Sequence, residues 1–357
     1  MILEKILFLP STPLNVLVAS AVAIQWQTRF EMEIWLIDQK RLYDNPYHQA
    51  LMNWRESPFK NVRIFPGNSK GVAKLKERQE NFENLRLALD EFEPNQIAVG
   101  SDRRIEFQYA LYYLQKKGKA AKGVYLDDGL YSYSGRQSHF VKDRLNSWLK
   151  KIVYGYWWEE PVTVGSSSLI EEAWLFQPHL AICELTKKNC FQIDTDWFKL
   201  PPLLGLSDTL SKILGVQTSE ISELHILILI PHPNNLKKIT SYEKRIKALV
   251  DRLGRQGKKI GIKYHPRMHE EDELGLRKKG ASQILSTQMA FEFYLPMLGS
   301  DCEVIGDIGT ALLTTKWLRP DLKVRAVLDE KESFQKKFIP LIEAMDIELL
   351  SDYGNLT

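Results

Sequence analysis

The chain has 357 residues, 44% of them hydrophobic and 26% charged, a globular composition that excludes disorder. It is too long for one ordinary hydrophobic core and suits two domains. Lys and Arg number 48 against 45 Asp and Glu, leaving a net charge of +3, too small a basic excess to argue for a nucleic-acid partner.

The three cysteines, Cys183, Cys190 and Cys302, fit no zinc spacing and point to reduced thiols. Pro10 and Pro13 break the apolar opening stretch, and no signal-peptide cleavage pattern follows. No apolar run approaches the roughly 20 residues of a membrane helix. A cytoplasmic location is expected.

In chain order, Ile6 to Leu9 reads as a buried strand, and Ser11-Thr12-Pro13 as a capped start for a helix over Leu14 to Gln25. Strands follow at Glu33 to Ile37 and Val62 to Phe65, then an amphipathic helix over Glu77 to Phe92. Gln96 to Val99 and Val124 to Leu126 flank a helix over Ile105 to Leu114. The pattern weakens between Gly155 and Ser222, where prolines and serines gather, and resumes with an apolar strand at His225 to Ile230. Helices are predicted over Ser241 to Leu253, Phe291 to Leu298, Thr310 to Trp317 and Ser333 to Met345. Strands are predicted at Lys259 to Lys263, Glu303 to Ile305 and Lys323 to Val327.

Such alternation predicts an α/β protein of two doubly wound, Rossmann-like domains, residues 1–205 and 222–357, facing a central cleft. Ligands of such sheets sit at the carboxyl ends of the strands, so polar residues just after strands are the candidates. Asp127-Asp128-Gly129 follows Val124 to Leu126. Adjacent carboxylates point to opposite sides of the chain, so one can face the cleft as a general base while the other ties down the turn. A solvated turn fits the tripeptide equally.

His265-Pro266-Arg267 follows Ile262-Lys263-Tyr264 and joins a proton-transfer group to the cations Lys263 and Arg267. His232, between Pro231 and Pro233, is a rival after another strand. Gly306 to Thr310 forms a glycine-rich turn into a helix, able to present free amides to an anion or simply to cap the helix. Glu292 lies between them, placed to accept ribose hydroxyls or to stand on an exposed helix. Asp301, Glu303 and Asp307 make no convincing metal site. Lys142, Arg144, Lys150 and Lys151 interleave with Trp148, Tyr154, Tyr156, Trp157 and Trp158. That mixture suits a glycan or a peripheral contact with the inner membrane, and equally a core-packed helix with solvated lysines.

Together, the acidic pair before a glycine in the first domain and His-Pro in the second resemble the signature of bacterial GT-B sialyltransferases and capsular polysialyltransferases. Ser11-Thr12-Pro13-Leu14-Asn15 is similar to the opening of such enzymes, and Gly309-Thr310 stands where they carry a Ser-Ser or Ser-Thr pair. The resemblance implies an acceptor-side first domain, a donor-binding second domain, and Asp127 as general base. It implies that His265 assists the departing cytidine monophosphate, that Glu292 holds the ribose, and that Thr310 with the turn amides holds the phosphate. His232 would line the donor pocket. Gly309 departs from the pattern by lacking the first hydroxyl.

The expected activity is metal-independent, inverting transfer of a nonulosonate from a CMP-activated donor to a glycan. No cofactor beyond the nucleotide-sugar donor is expected. The alternatives are a same-fold transferase using CMP-Kdo or a nucleotide-diphosphate sugar, and a catalytically decayed binding protein. An epimerase of this architecture ranks lower, because no second carboxylate is placed for it.

Overall fold

The structure is a computed structural model; it describes residues 3–136, 140–236, 241–268, 270–327 and 338–350, without the side chains of 140–146. By its contacts the chain divides into two compact units, Met1–Thr209 and Leu210–Thr357.

The first unit holds strands β1 (Glu4–Phe8), β2 (Phe30–Gln39), β3 (Asn61–Pro66), β4 (Gln96–Val99), β5 (Lys122–Leu126), β6 (Ile170–Leu175) and β7 (Asn189–Gln192). Their order is β3-β2-β1-β4-β5-β6-β7, with every pairing parallel. Its helices are α1 (Pro13–Trp26), α2 (Pro46–Met52), α3 (Gly71–Phe92), α4 (Ile105–Lys116), α5 (Tyr131–Ser134), α6 (Phe140–Tyr154) and α7 (Cys183–Thr186). Parallel strands covered on both faces must be apolar throughout, and Ile6, Leu7, Phe8 and Leu9 are fully buried. Thr12 caps α1 by accepting the amide of Asn15 at 3.2 Å, and Pro13 occupies the first turn, where a missing amide costs nothing.

Helix α8 (Pro201–Leu214) carries the chain from one unit to the other. The second unit runs α9 (Thr218–Ser222), β8 (Ile226–Leu229), α10 (Pro233–Leu236), α11 (Tyr242–Arg255), β9 (Ile260–Lys263), β10 (Gln283–Leu285), β11 (Glu303–Asp307), α12 (Thr310–Leu318), β12 (Lys323–Val327), α13 (Ile339–Ala344) and β13 (Glu348–Leu350). Its all-parallel order is β10-β9-β8-β11-β12-β13. Helix α11 buries Tyr242, Ile246, Leu249, Val250 and Leu253, one helical face laid against the sheet. In each unit the strand order reverses once, between β1 and β4 and between β8 and β11, which is where open α/β sheets receive ligands.

Three sequence expectations change. The stretch from Gly155 to Ser222 contains β6, β7 and the whole of α8 and α9. Its strands are hard to read because they lie toward the sheet edge, where Glu171, Asn189, Phe191 and Gln192 stand exposed. The helix expected over Phe291 to Leu298 is two 3-10 turns, Phe291–Phe293 and Leu295–Met297. Pro296 removes an amide that an α-helix would need there. Of the closing helix, Ile339–Ala344 is present, while 333–337 lie outside the described residues.

Candidate active site

At the carboxyl edge of the first sheet, β5 delivers Asp127 and Asp128 to different surroundings. Asp127 is fully buried. Its Oδ1 accepts the Gly129 amide at 2.9 Å and the Ser132 hydroxyl at 2.8 Å; its Oδ2 accepts the Phe176 amide at 3.0 Å and the Tyr133 hydroxyl. Burial pushes its pKa up, and these four donors pull the other way. Gly129 holds φ at 94°, a conformation that favours glycine, which lets the turn fold back onto the carboxylate.

Asp127 is therefore the residue that ties the turn, and the geometry moves the candidate base to its neighbour. Asp128 is half-buried and accepts a hydrogen bond from Asn15 Nδ2 at 2.7 Å. Asn15 is itself 2% exposed, one turn into α1. Its Oδ1 accepts from the Ser11 amide at 3.4 Å and the Ser11 hydroxyl at 3.3 Å, which fixes which end of the amide faces Asp128. A side chain at Gly100, after β4, would come within 2.1 Å of Asn15 Nδ2. Ser11, Asn15, Gly100 and Asp128 thus gather around the reversal point of the first sheet.

At the carboxyl edge of the second sheet two His-Pro turns stand side by side. After β8, His232 O accepts the Asn235 amide at 2.8 Å, and His232 Nδ1 accepts the Asn234 amide at 3.0 Å. After β9, His265 O accepts the Met268 amide at 2.9 Å, and His265 Nδ1 accepts the Arg267 amide at 3.1 Å. Pro233 and Pro266 occupy the same place in the two turns and preset the backbone. The two rings lie 4.8 Å apart, at 67°.

With Nδ1 of each ring accepting, a neutral ring carries its proton on Nε2. Arg267 Nη1 stands 3.3 Å from His232 Nε2. With that tautomer Arg267 and His232 both present protons, which an anion would bridge; with the other, Arg267 donates to His232 Nε2. Burial, reinforced by His232, Arg267 and Lys263, lowers the His265 pKa to about 4. His265 is thus neutral in the free protein, and an anion beside it would draw a proton onto it.

The remaining residues divide. Lys263 is 4% exposed, its Nζ donating to Tyr264 O at 3.1 Å, and burial brings its pKa down to about 8 against the pull of Glu292. Glu292 is buried, its pKa pushed up by desolvation and its carboxylate held by Thr314. Its charge offsets part of the lowering of the Lys263 pKa, and burial leaves it little open surface for the ribose contact that the resemblance implies. Gly309 caps α12 with extended backbone, φ −172° and ψ 171°. A Cβ there would meet only Asp307 O at 3.8 Å, so a serine fits. Thr310 is half-exposed at the first position of α12.

Beside the His265 turn, Met268 also lines a cavity of about 590 Å3 with Gln217, Glu220, Gln283, Ser286 and Gln288. Glu270 and Glu271 make its rim acidic. Among the described residues no cluster of three or more His, Cys, Asp or Glu side chains is arranged to hold a metal ion. Among the same residues no helix is long and apolar enough to cross a membrane.

One of these residues, Asn15, escaped the sequence reading as a participant, although it carried a signal, a lone amide in the apolar run Leu14 to Ala19. His232 was read as a rival to His265 that would line the donor pocket, and the structure sets the two rings side by side.

No family model matches the sequence, and no curated protein matches it. Among solved structures, the chain is similar to UDP-GlcNAc 2-epimerase from Neisseria meningitidis bound to UDP-GlcNAc (TM-score 0.57, 14% identity, 99% of this chain and 89% of that one). It is similar also to the epimerase from Methanocaldococcus jannaschii (0.55, 13%, 98% and 89%) and to a putative one from Listeria monocytogenes (0.56, 11%, 100% and 86%). Identities this low speak for architecture alone, and the architecture is that of two Rossmann-like domains in the GT-B manner.

Proposed function

We propose that the protein is a glycosyltransferase that moves a nonulosonic acid from a cytidine-monophosphate donor to a hydroxyl of a glycan. The observation that carries this reading is the pair of His-Pro turns, whose Nε2 atoms and Arg267 offer donors to an anion. The sugar-bearing phosphate fits that demand. The adjoining cavity supplies the nucleoside preference: its carboxylates suit the exocyclic amine of cytosine, a donor, better than the O4 acceptor of uracil.

In this mechanism the acceptor hydroxyl attacks the anomeric carbon while the bond from that carbon to the phosphate oxygen breaks. The phosphate leaves with the electron pair. Asp128, oriented by Asn15, takes the hydroxyl proton. His265, protonated once the donor is bound, donates to the departing phosphate, whose charge Arg267 and His232 help to disperse. Room for a serine at Gly309 means that its absence costs one hydroxyl rather than the shape of the turn.

A second reading is favoured by the solved structures themselves, which are UDP-GlcNAc 2-epimerases. On that reading the substrate is a nucleotide-diphosphate sugar. The two part in a donor screen across cytidine-, uridine- and guanosine-activated sugars, scored by nucleotide release and by sugar epimerisation. Release of cytidine monophosphate alone is the expected result. Epimerisation of a uridine-diphosphate sugar would replace the proposal with the second reading. Glu220→Gln should reduce the preference for cytidine over uridine monophosphate by roughly fivefold or more, the worth of one charge-assisted hydrogen bond.

A further inference from the structure

Helix α6 exposes the wrong residues for a soluble helix. Trp148 is 61% exposed, Leu149 47%, Ile152 61% and Val153 50%, and Tyr156 just beyond the helix is 93% exposed. Positions 148, 149, 152 and 153 share one face. The opposite side is already committed inward: Lys150 lies 4.1 Å over the buried Trp158 ring and pairs with Glu160 at 2.9 Å. Tyr154 packs edge-on against Phe82. The sequence reading of a core-packed helix with solvated lysines therefore holds for Trp158 and fails for Trp148 and Tyr156; the side chains of Lys142 and Arg144 lie outside the described residues.

We propose that this face, centred on Trp148 and Ile152, docks the protein on an anionic phospholipid surface. Three observations choose that occupant. No acidic residue occurs from Ser147 to Tyr156, Lys151 stands beside Ile152, and the sequence of α6 holds Lys142, Arg144, Lys150 and Lys151 against one acid, Asp143, with only Lys150 answered by Glu160 among those whose side chains are described. A tryptophan and a tyrosine border the aliphatic residues, the residue types that settle at the headgroup boundary. A second copy meeting this face across a two-fold axis would set Lys151 against Lys151. A glycan would use the rings and leave Leu149, Ile152 and Val153 in water. Only a bilayer takes the rings, the aliphatic chains and the charge together. Docking of this kind is interfacial and reversible and asks for no crossing helix.

The test is co-sedimentation of the full chain with phosphatidylcholine vesicles, with and without phosphatidylglycerol. The expected result is binding to the anionic vesicles that weakens with salt. Trp148→Ser with Ile152→Ser should lower that binding more than roughly tenfold. Lys151→Gln should lower it by roughly fivefold. Thermal melting of each variant should match the parent, because Trp148 and Ile152 are exposed and Lys151 is half-exposed. Asp128→Asn should bind vesicles like the parent, so this inference and the transfer reading fail separately. Equal binding to both vesicle types overturns the proposal. So does undiminished binding by the double variant, or a dimer in sedimentation velocity that the double variant dissolves.

Discussion

The two strand-end crevices solve opposite problems. In the first unit both carboxylates after β5 are met inside the protein: Asp127 takes four donors, and Asp128 is met by Asn15, itself set by Ser11. In the second unit the turns after β8 and β9 bring together two imidazoles, each with Nδ1 taken by a backbone amide, and the Arg267 guanidinium. A carboxylate already oriented is ready to receive a proton without reorganising. A cluster of imidazole and guanidinium groups suits an anion, and burial holds His265 neutral until one arrives.

The contrast is broken most sharply inside the acidic pair. Asp128→Asn should reduce turnover by roughly a hundredfold to ten-thousandfold while cytidine monophosphate binds as before. Asp127→Asn should instead lower the melting temperature, because an amide placed among four donors leaves part of the network unmet, at about 1–3 kcal/mol. A fully stable but inactive Asp127→Asn protein would return the base to Asp127 and undo the comparison.

Next in size are the histidines. His265→Ala should remove turnover through loss of the acid, whereas His232→Ala should chiefly weaken donor binding, by roughly tenfold to a hundredfold. Equal effects of both variants on affinity alone would make the pair a clamp without chemistry. Titration adds a sign. The His265 ring is protonated in the unfolded chain below its ordinary value near 6.5, but in the folded free protein only below about 4. The unfolded state therefore binds more protons between those values, and stability falls as pH drops through that window. His265→Gln should flatten that fall in acid-denaturation curves. A bound phosphate reverses the balance, so cytidine monophosphate should bind more tightly at pH 6 than at pH 8. Deprotonation of the buried Lys263 near pH 8 removes a positive charge and weakens nucleotide binding further on the alkaline side.

The smallest expected effect is at the turn into α12. Gly309→Ser should raise stability by only a few tenths of a kcal/mol, as serine replaces glycine at a helix start. Its worth lies in donor affinity, which should rise if the turn holds the phosphate and stay level if it does not.

Much of the architecture could be read in advance because central parallel strands announce themselves as apolar runs, such as Ile226 to Ile230, bounded by capped helices. The peripheral strands could not. β7 is Asn-Cys-Phe-Gln and β10 only three residues long, and such edges are polar or short for good reason. At the site, strand-end placement found Asp127, Asp128, His232 and His265, but adjacency in sequence cannot say which carboxylate turns inward. That choice depends on Tyr133, Ser132 and Phe176, which reach Asp127 from a later turn and a neighbouring strand end. The burial of Glu292 was hidden for the same reason: its partners Thr314 and Lys263 come from α12 and β9, remote in sequence.

The central claim is that the paired His-Pro turns form the anion site of a nucleotide-sugar enzyme. NMR of the imidazole resonances, assigned with His232→Ala and His265→Ala and followed from pH 4 to 8 with and without cytidine monophosphate, tests it most directly. The account predicts a free His265 that titrates near pH 4 and whose midpoint rises when the nucleotide binds, with His232 shifting in the same experiment. Saturating nucleotide that leaves both rings unchanged would place the phosphate elsewhere and contradict the account.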